Sequence, residues 1–374
     1  MSGGANVRGA KQASSPLGGL GMKTENSGGM MVKIVVASYF EEENVERIRE
    51  VDGDFEVSYR AGLVPPPRWE GDVVGEADWR RTDAQNEEFL GLLSDAEILL
   101  DFPRGLPKPL LEAAPNVRWI QGGMAGAGPV AKNAGLLETD VVVTTASGVF
   151  SNPLAEFVLG GMLSHAKDFE RLRKRKESKT WSEEETGTLE GKTLCIIGTG
   201  GIGRAISERA KPFGMKVVGV KRTVRKDDEA RKYTDELYPT EDLHDALEKS
   251  DYVAVTLPHT EGTENLVDAA AMDAMKPGAY FANVGRGAVV DEDALVERLE
   301  SGHISGAALD VFREEPLPEG SPLWGLENVI ISPHSTDNVP RLMEEKLVEL
   351  FCENLRRYLE GRSLVNVLDK NLLY

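Results

Sequence analysis

Arg286, Glu315 and His334 each lie just past a run of strand-forming residues, and between them they carry the groups needed to reduce a ketone beside a carboxylate. Hydride addition to a carbonyl builds negative charge on its oxygen, so a general acid must deliver a proton, and imidazole titrates in the right range. His334, closing Val329-Ile-Ile-Ser-Pro-His, is the candidate acid. Glu315, in Asp310-Val-Phe-Arg-Glu-Glu-Pro, is its candidate partner, because a nearby carboxylate favours the imidazolium and holds the ring. Arg286, in Asn283-Val-Gly-Arg-Gly, offers a planar fork that can grip a keto acid through paired hydrogen bonds, and its flanking glycines open space around it. His165, His244, His259 and His303 read as structural or solvated. No cluster of residues has metal-ligand spacing, so no metal is expected.

The elements that would position these groups are legible as alternating strand-like and helical stretches. Cys195-Ile-Ile-Gly198-Thr-Gly200-Gly-Ile-Gly203-Arg-Ala-Ile206 runs a buried strand, Thr193 to Ile197, through three glycines at dinucleotide-binding spacing into a helical pattern from Arg204 to Phe213. Gly198 allows the tight turn, Gly200 leaves room for a pyrophosphate, and Gly203 permits close helix-to-strand packing. Gly201 and Ile202 join the three glycines as candidate cofactor contacts, and the phosphates would sit on the N-terminus of the helix that follows, where free N–H groups face them.

Further strands of this half are expected at Lys216 to Val220, Tyr252 to Leu257, Ala279 to Val284, Ser305 to Phe312 and Val329 to Ile331. An earlier series covers Val32 to Ala37, Phe55 to Tyr59, Glu97 to Phe102, Val117 to Gln121 and Val141 to Thr145. Such alternation predicts two α/β domains with parallel sheets covered by helices, one of them a doubly wound Rossmann sheet. A helix from about Asn152 to Lys174 links the halves, and another from Val339 to Leu359 returns to the first. The expected organisation is a Gly- and Ser-rich leader over residues 1–30, a smaller flavodoxin-like substrate domain from 31–148 with 337–374, and a dinucleotide domain over 149–336. A segment with three consecutive prolines, Trp69 and Trp79 interrupts the first series between Ala61 and Asp83 and reads as an inserted surface loop.

The net charge of −19 over 374 residues argues against nucleic-acid partners. An acidic solvated surface and a salt-adapted host both fit it. No apolar run suits a membrane span, the basic stretch Arg171 to Lys176 reads as a solvated helix face, and Cys195 and Cys352 read as buried thiols. The expected location is the cytoplasm.

The ordered motifs GxGxxG, NVGRG, DVFxxEP and SPH resemble the D-isomer-specific 2-hydroxyacid dehydrogenase family, from about Met31 to the C-terminus. The resemblance implies His334 as acid/base, Glu315 as its partner, Arg286 as the substrate arginine, Asp310 at the nicotinamide carboxamide and Pro258 beside the adenine. It also implies that backbone N–H groups of Ala125 and Gly126, in Gln121-Gly-Gly-Met-Ala-Gly-Ala-Gly, bind the substrate carboxylate, and that the Asn152 to Lys174 region serves a homodimer. Two features depart from the family pattern. His334-Ser-Thr-Asp337-Asn stands where many relatives carry glycines, and the Pro-rich insertion has no obvious counterpart.

The second strand of the nucleotide half ends in Lys221-Arg222-Thr223, with no carboxylate in place for a ribose 2′-hydroxyl, so NADP(H) is favoured over NAD(H). Glu315 beside His334 argues against the formate branch of the family. The chain ends soon after the returning helix, so no appended regulatory domain of the phosphoglycerate dehydrogenase kind is expected. The leading expectation is a reductase of glyoxylate or hydroxypyruvate type. The alternatives are a phosphoglycerate dehydrogenase-like enzyme and a non-enzymatic, dinucleotide-sensing corepressor.

Overall fold

The computed structural model describes residues 31–51, 53–339 and 341–373, so the expected leader lies outside the described residues. The chain begins with β1 (Val32–Val36), α1 (Glu42–Arg49), β2 (Phe55–Ser58), α2 (Asp83–Ser94), β3 (Ile98–Leu100), α3 (Leu110–Ala113), β4 (Trp119–Gln121), α4 (Gly128–Asn133) and β5 (Val142–Thr144). Among the described residues these strands make a parallel five-stranded sheet, ordered β2-β1-β3-β4-β5. The central strands β3 and β4 are buried on both faces, which explains the unbroken apolar run of β3, while Gln121 of β4 is buried with its amide hydrogen-bonded.

Two helices, α5 (Ser151–Lys167) and α6 (Phe169–Ser178), carry the chain to the second sheet. The single helix expected from Asn152 to Lys174 is broken at Asp168, whose backbone is left-handed with φ 49°. Its carboxylate accepts the Arg171 N–H at 3.1 Å and caps the new helix, so a residue that fits helical periodicity ends one helix and starts the next.

The second half runs β6 (Thr193–Ile197), α7 (Gly201–Ala210), β7 (Lys216–Lys221), β8 (Glu236–Pro239), α8 (Leu243–Leu247), β9 (Tyr252–Val255), α9 (Ala269–Asp273), β10 (Ala279–Asn283), α10 (Glu292–Ser301), β11 (Ile304–Leu309) and β12 (Val329–Ile331). These strands form a parallel sheet of seven among the described residues, ordered β12-β11-β10-β9-β6-β7-β8. This is a doubly wound order with its reversal beside β6, where such sheets take dinucleotides. The edge strand β8 was not foreseen: it is short, half-buried and ends in Pro239, a composition that edge strands tolerate. Several other predicted strands stop one to three residues early, where their ends turn into loops at the sheet edge.

The last helix, α11 (Leu342–Leu359), lays Leu347, Val348, Phe351 and Leu355 into the core of the first sheet, against Val45 and Ile48 of α1. The chain then pairs with β5: Thr144 bridges Val367, and the Leu368 N–H reaches the Val143 carbonyl at 2.8 Å. Buried Asn354 ties this return to β4, donating to Gln121 at 3.1 Å and accepting the Val365 N–H at 2.7 Å.

The insertion is ordered around Asp72, whose buried carboxylate takes the Arg68 guanidinium in two bonds of 2.7 and 3.0 Å and also accepts backbone N–H groups of Arg68, Val74 and Gly75. Burial would raise the pKa of Asp72, but these bonds outweigh it and hold the carboxyl low. Glu70 of the insertion pairs with Arg341, just ahead of α11. No described helix is long and apolar enough to cross a membrane.

Candidate active site

The glycine turn after β6 has the space a dinucleotide needs. Gly198 has φ 109°, and a Cβ there would sit 2.7 Å from Thr256 Oγ1. A Cβ at Gly203 would sit 2.1 Å from the Gly198 carbonyl oxygen, whereas one at Gly200 would meet nothing within 4 Å. Gly200 therefore faces open space, and α7 starts at Gly201, earlier than the expected Arg204. The first-turn N–H groups of Gly201, Ile202 and Gly203 have no intrahelical acceptor and point toward that space. The residues fit a nicotinamide dinucleotide.

At the end of β7, Lys221 donates to both oxygens of Asp228, at 2.9 and 2.8 Å. This carboxylate comes from seven residues downstream, past the end of the strand. The Lys221 bond holds the Asp228 carboxyl below the usual carboxylate range. Arg222 next to it is exposed. Pro258 follows β9, its carbonyl accepting the Thr263 hydroxyl at 2.8 Å.

Arg286, Glu315 and His334 follow β10, β11 and β12, three adjacent strands. Buried Asn283 shapes the Arg286 turn, accepting the Gly285 N–H at 3.0 Å and donating to the Arg286 carbonyl at 3.2 Å. Gly287 is pressed against the next loop, and a Cβ there would sit 1.9 Å from the Phe312 carbonyl carbon. In that loop Glu315 Oε1 accepts the Phe312 N–H at 3.0 Å and Oε2 lies 2.8 Å from His334 Nδ1. An ionised carboxylate only accepts, so Nδ1–H is the donor and Nε2 is left for chemistry. His334 has a left-handed backbone, φ 52°, which turns the chain as it leaves β12. Asp310, buried, accepts the Ser335 and Thr336 N–H groups at 3.1 and 3.3 Å and so fixes the turn that carries the imidazole.

The first sheet reaches this cluster through Gly126: a Cβ there would sit 2.7 Å from Arg286 Nη2. The loop holding Ala125 and Gly126 thus faces Arg286 across the cleft. Asp337 was noted in the sequence only as a departure from the family. Burial, then the Asp310 carboxylate, push its pKa up, with His334 and Arg286 acting in the other direction. A carboxylate three residues past the candidate acid was the available signal.

A dinucleotide turn, an imidazole–carboxylate pair and an arginine at neighbouring strand ends define a dehydrogenase of small carbonyl acids. Residues 159–336 match the family described as D-isomer specific 2-hydroxyacid dehydrogenase, NAD binding domain. The chain is 33% identical over 275 residues to a glyoxylate reductase of Thermococcus litoralis, covering 71% of this chain and 81% of that one. It is 32% identical over 316 residues to a glyoxylate reductase of Thermofilum pendens, covering 80% and 89%. A D-isomer specific 2-hydroxyacid dehydrogenase from Xanthobacter autotrophicus Py2, solved with NADPH and MES, superposes with a TM-score of 0.72 at 28% identity, covering 92% of this chain and 100% of that one.

The chain belongs to the D-isomer-specific 2-hydroxyacid dehydrogenase family. It is an NAD(P)-dependent oxidoreductase acting on 2-hydroxy acids and their 2-oxo counterparts.

Proposed function

We propose that this enzyme reduces a small 2-oxo acid of the glyoxylate or hydroxypyruvate kind with NADPH, His334 serving as the acid. The observation that carries the reading is the 2.8 Å contact of His334 Nδ1 with Glu315 at the same sheet edge as Arg286. Bound in the glycine turn, the reduced dinucleotide would supply the hydride. His334 Nε2 would hold the proton destined for the carbonyl oxygen, and Glu315 would fix the ring through Nδ1. Arg286 would grip the carboxylate and polarise the carbonyl, while the Ala125 and Gly126 N–H groups bind the same carboxylate from the opposite side. Asp310 would sit at the carboxamide while holding the His334 turn, and Pro258 would flank the adenine.

Preference for NADPH is supported by Lys221 and Arg222 at the end of β7 and by the NADPH-bound relative. A 2′-phosphate would compete with Asp228 for the Lys221 ammonium. We place the substrate domain at 31–148 with 337–374, and the dinucleotide domain at 149–336. The proposed state is a cytoplasmic homodimer, in keeping with two buried free thiols and with exposed Phe169, Leu172 and Trp181 around α6.

The test is the initial rate of NADPH and NADH oxidation with glyoxylate, hydroxypyruvate, pyruvate and longer 2-oxo acids, with His334→Ala as control. Turnover fastest with NADPH and glyoxylate or hydroxypyruvate, and lost in the variant, is the expected result. Dinucleotide binding without turnover of any 2-oxo acid would overturn the reading and favour a sensing role.

A further inference from the structure

The crevice of the first sheet contains a carboxylate with no assigned task. In the order β2-β1-β3-β4-β5 the chain reverses between β1 and β3, which is where open sheets of this kind bind ligands. Here Asp101, one residue past β3, closes that crevice. Its carboxylate accepts the hydroxyl of Ser38, beyond β1, and the Gly123 N–H, beyond β4, at 3.0 Å. Both Asp101 and Ser38 are buried, at 3% and 2% exposure. The Asp101 backbone is left-handed, φ 67°, an uncommon conformation for a residue with a side chain. A Cβ at Gly123 would lie 3.1 Å from the Asp101 carboxyl carbon, so the two residues are fitted to each other.

The Gly123 bond sets the start of the loop that ends opposite Arg286. That loop is also held by the Gly122 N–H to the Thr144 carbonyl at 2.7 Å, and by the Ala146 N–H to the Met124 carbonyl at 3.0 Å. With the Gly123 N–H taken, the groups free to meet an anion are those further along, toward Ala125 and Gly126. The charge itself is the unexplained part. Asp101 forms no salt bridge among the described residues, and an asparagine could accept the Gly123 N–H through its oxygen and donate its amide N–H to the Ser38 hydroxyl without the cost of burying an ion.

We propose that Asp101 is a positioning residue with two effects: it fixes the loop that binds the substrate carboxylate, and its charge restricts the site to 2-oxo acids bearing one negative group. The proposal rests on the reading of Ala125 and Gly126 given above. Arg286 offsets the single carboxylate of such an acid. A second carboxylate or a phosphate would enter beside a buried, poorly screened negative charge.

Full-length Asp101→Ala, Asp101→Asn and Ser38→Ala variants test it by amide hydrogen exchange of the 119–128 segment and by steady-state kinetics with glyoxylate and 2-oxoglutarate. Asp101→Ala removes a charge-assisted bond, so faster exchange in the loop and a KM for glyoxylate raised about tenfold or more are expected, with kcat falling less. Asp101→Asn keeps an acceptor for Gly123 and restores both. It also raises kcat/KM for 2-oxoglutarate relative to glyoxylate by about fivefold or more, a change that a purely structural role would not produce. Unchanged loop exchange in Asp101→Ala overturns the anchor, and an unchanged substrate ratio in Asp101→Asn overturns the charge effect. If Asp101→Ala does not fold, Ser38→Ala, which removes one of the two bonds, must still speed loop exchange. If no 2-oxo acid is turned over at all, the functional reading fails on its own, while exchange still decides whether Asp101 sets the loop.

Discussion

At the residue scale the proposed chemistry rests on His334 and on what surrounds it. A positioned general acid contributes about 10²- to 10⁴-fold to rate, so His334→Ala is expected to lower kcat by at least about 100-fold with little effect on dinucleotide affinity. Glu315→Gln weakens the charge-assisted bond that holds Nδ1–H, so kcat for reduction should fall while dinucleotide affinity is kept. An unchanged kcat in Glu315→Gln would sink the Glu315–His334 pairing. Asp337 adds a dependence on pH. Its pKa is raised in the fold by burial and by Asp310, so between the ordinary value of 3.8 and the raised one the folded state binds more protons than the unfolded chain. Stability at this residue is then lost as pH rises through that window. Asp337→Asn should therefore raise the melting temperature at neutral pH, the gain vanishing below the ordinary aspartate value. A gain that persists in acid would contradict this. His334, Glu315 and Arg286 were legible because their motifs end strands. Asp101 was not, because its partners Ser38 and Gly123 lie 63 and 22 positions away and only the sheet order brings them together.

At the element scale, glycines set how closely strand ends and helix starts approach. A methyl at Gly203 would collide with the Gly198 carbonyl, a backbone atom that cannot step aside, whereas Gly200 faces open space. Gly203→Ala should destabilise the fold by about 1–3 kcal/mol, as overpacked sites do. Gly200→Ala should leave the melting temperature nearly unchanged and weaken NADPH binding. Calorimetric melts paired with fluorescence titration separate the two, and normal binding by Gly200→Ala would show that the pyrophosphate lies elsewhere. Apolar runs revealed most strands because both faces of a covered parallel sheet are buried. The exceptions have local causes. Edge strand β8 buries too little to read as apolar, and the break between α5 and α6 is made by Asp168, whose left-handed backbone leaves no mark in helical periodicity.

At the scale of the whole molecule, the chain has a large acidic excess and, around α6, three exposed apolar side chains. Trp181 is 97% exposed, with Phe169 and Leu172 also open to solvent. If this region joins two copies, Leu172→Glu combined with Trp181→Ala should shift sedimentation from dimer to monomer without lowering helical content. A wild-type chain that sediments as a monomer would remove the homodimer from the proposal. The Glu70–Arg341 link between insertion and α11 is exposed and joins residues 271 positions apart, a contact no local pattern announces. The return of α11 and Leu368 to the first sheet also has a consequence for biosynthesis. The seven-stranded half is contiguous in the chain and can acquire its final packing while translation continues. The five-stranded half, although its strands emerge from the ribosome before the seven-stranded half, must wait with the core face meant for Phe351 and Leu355 uncovered until α11 has been made. During that interval the nascent chain carries an uncovered apolar sheet face, where a ribosome-associated chaperone would find it.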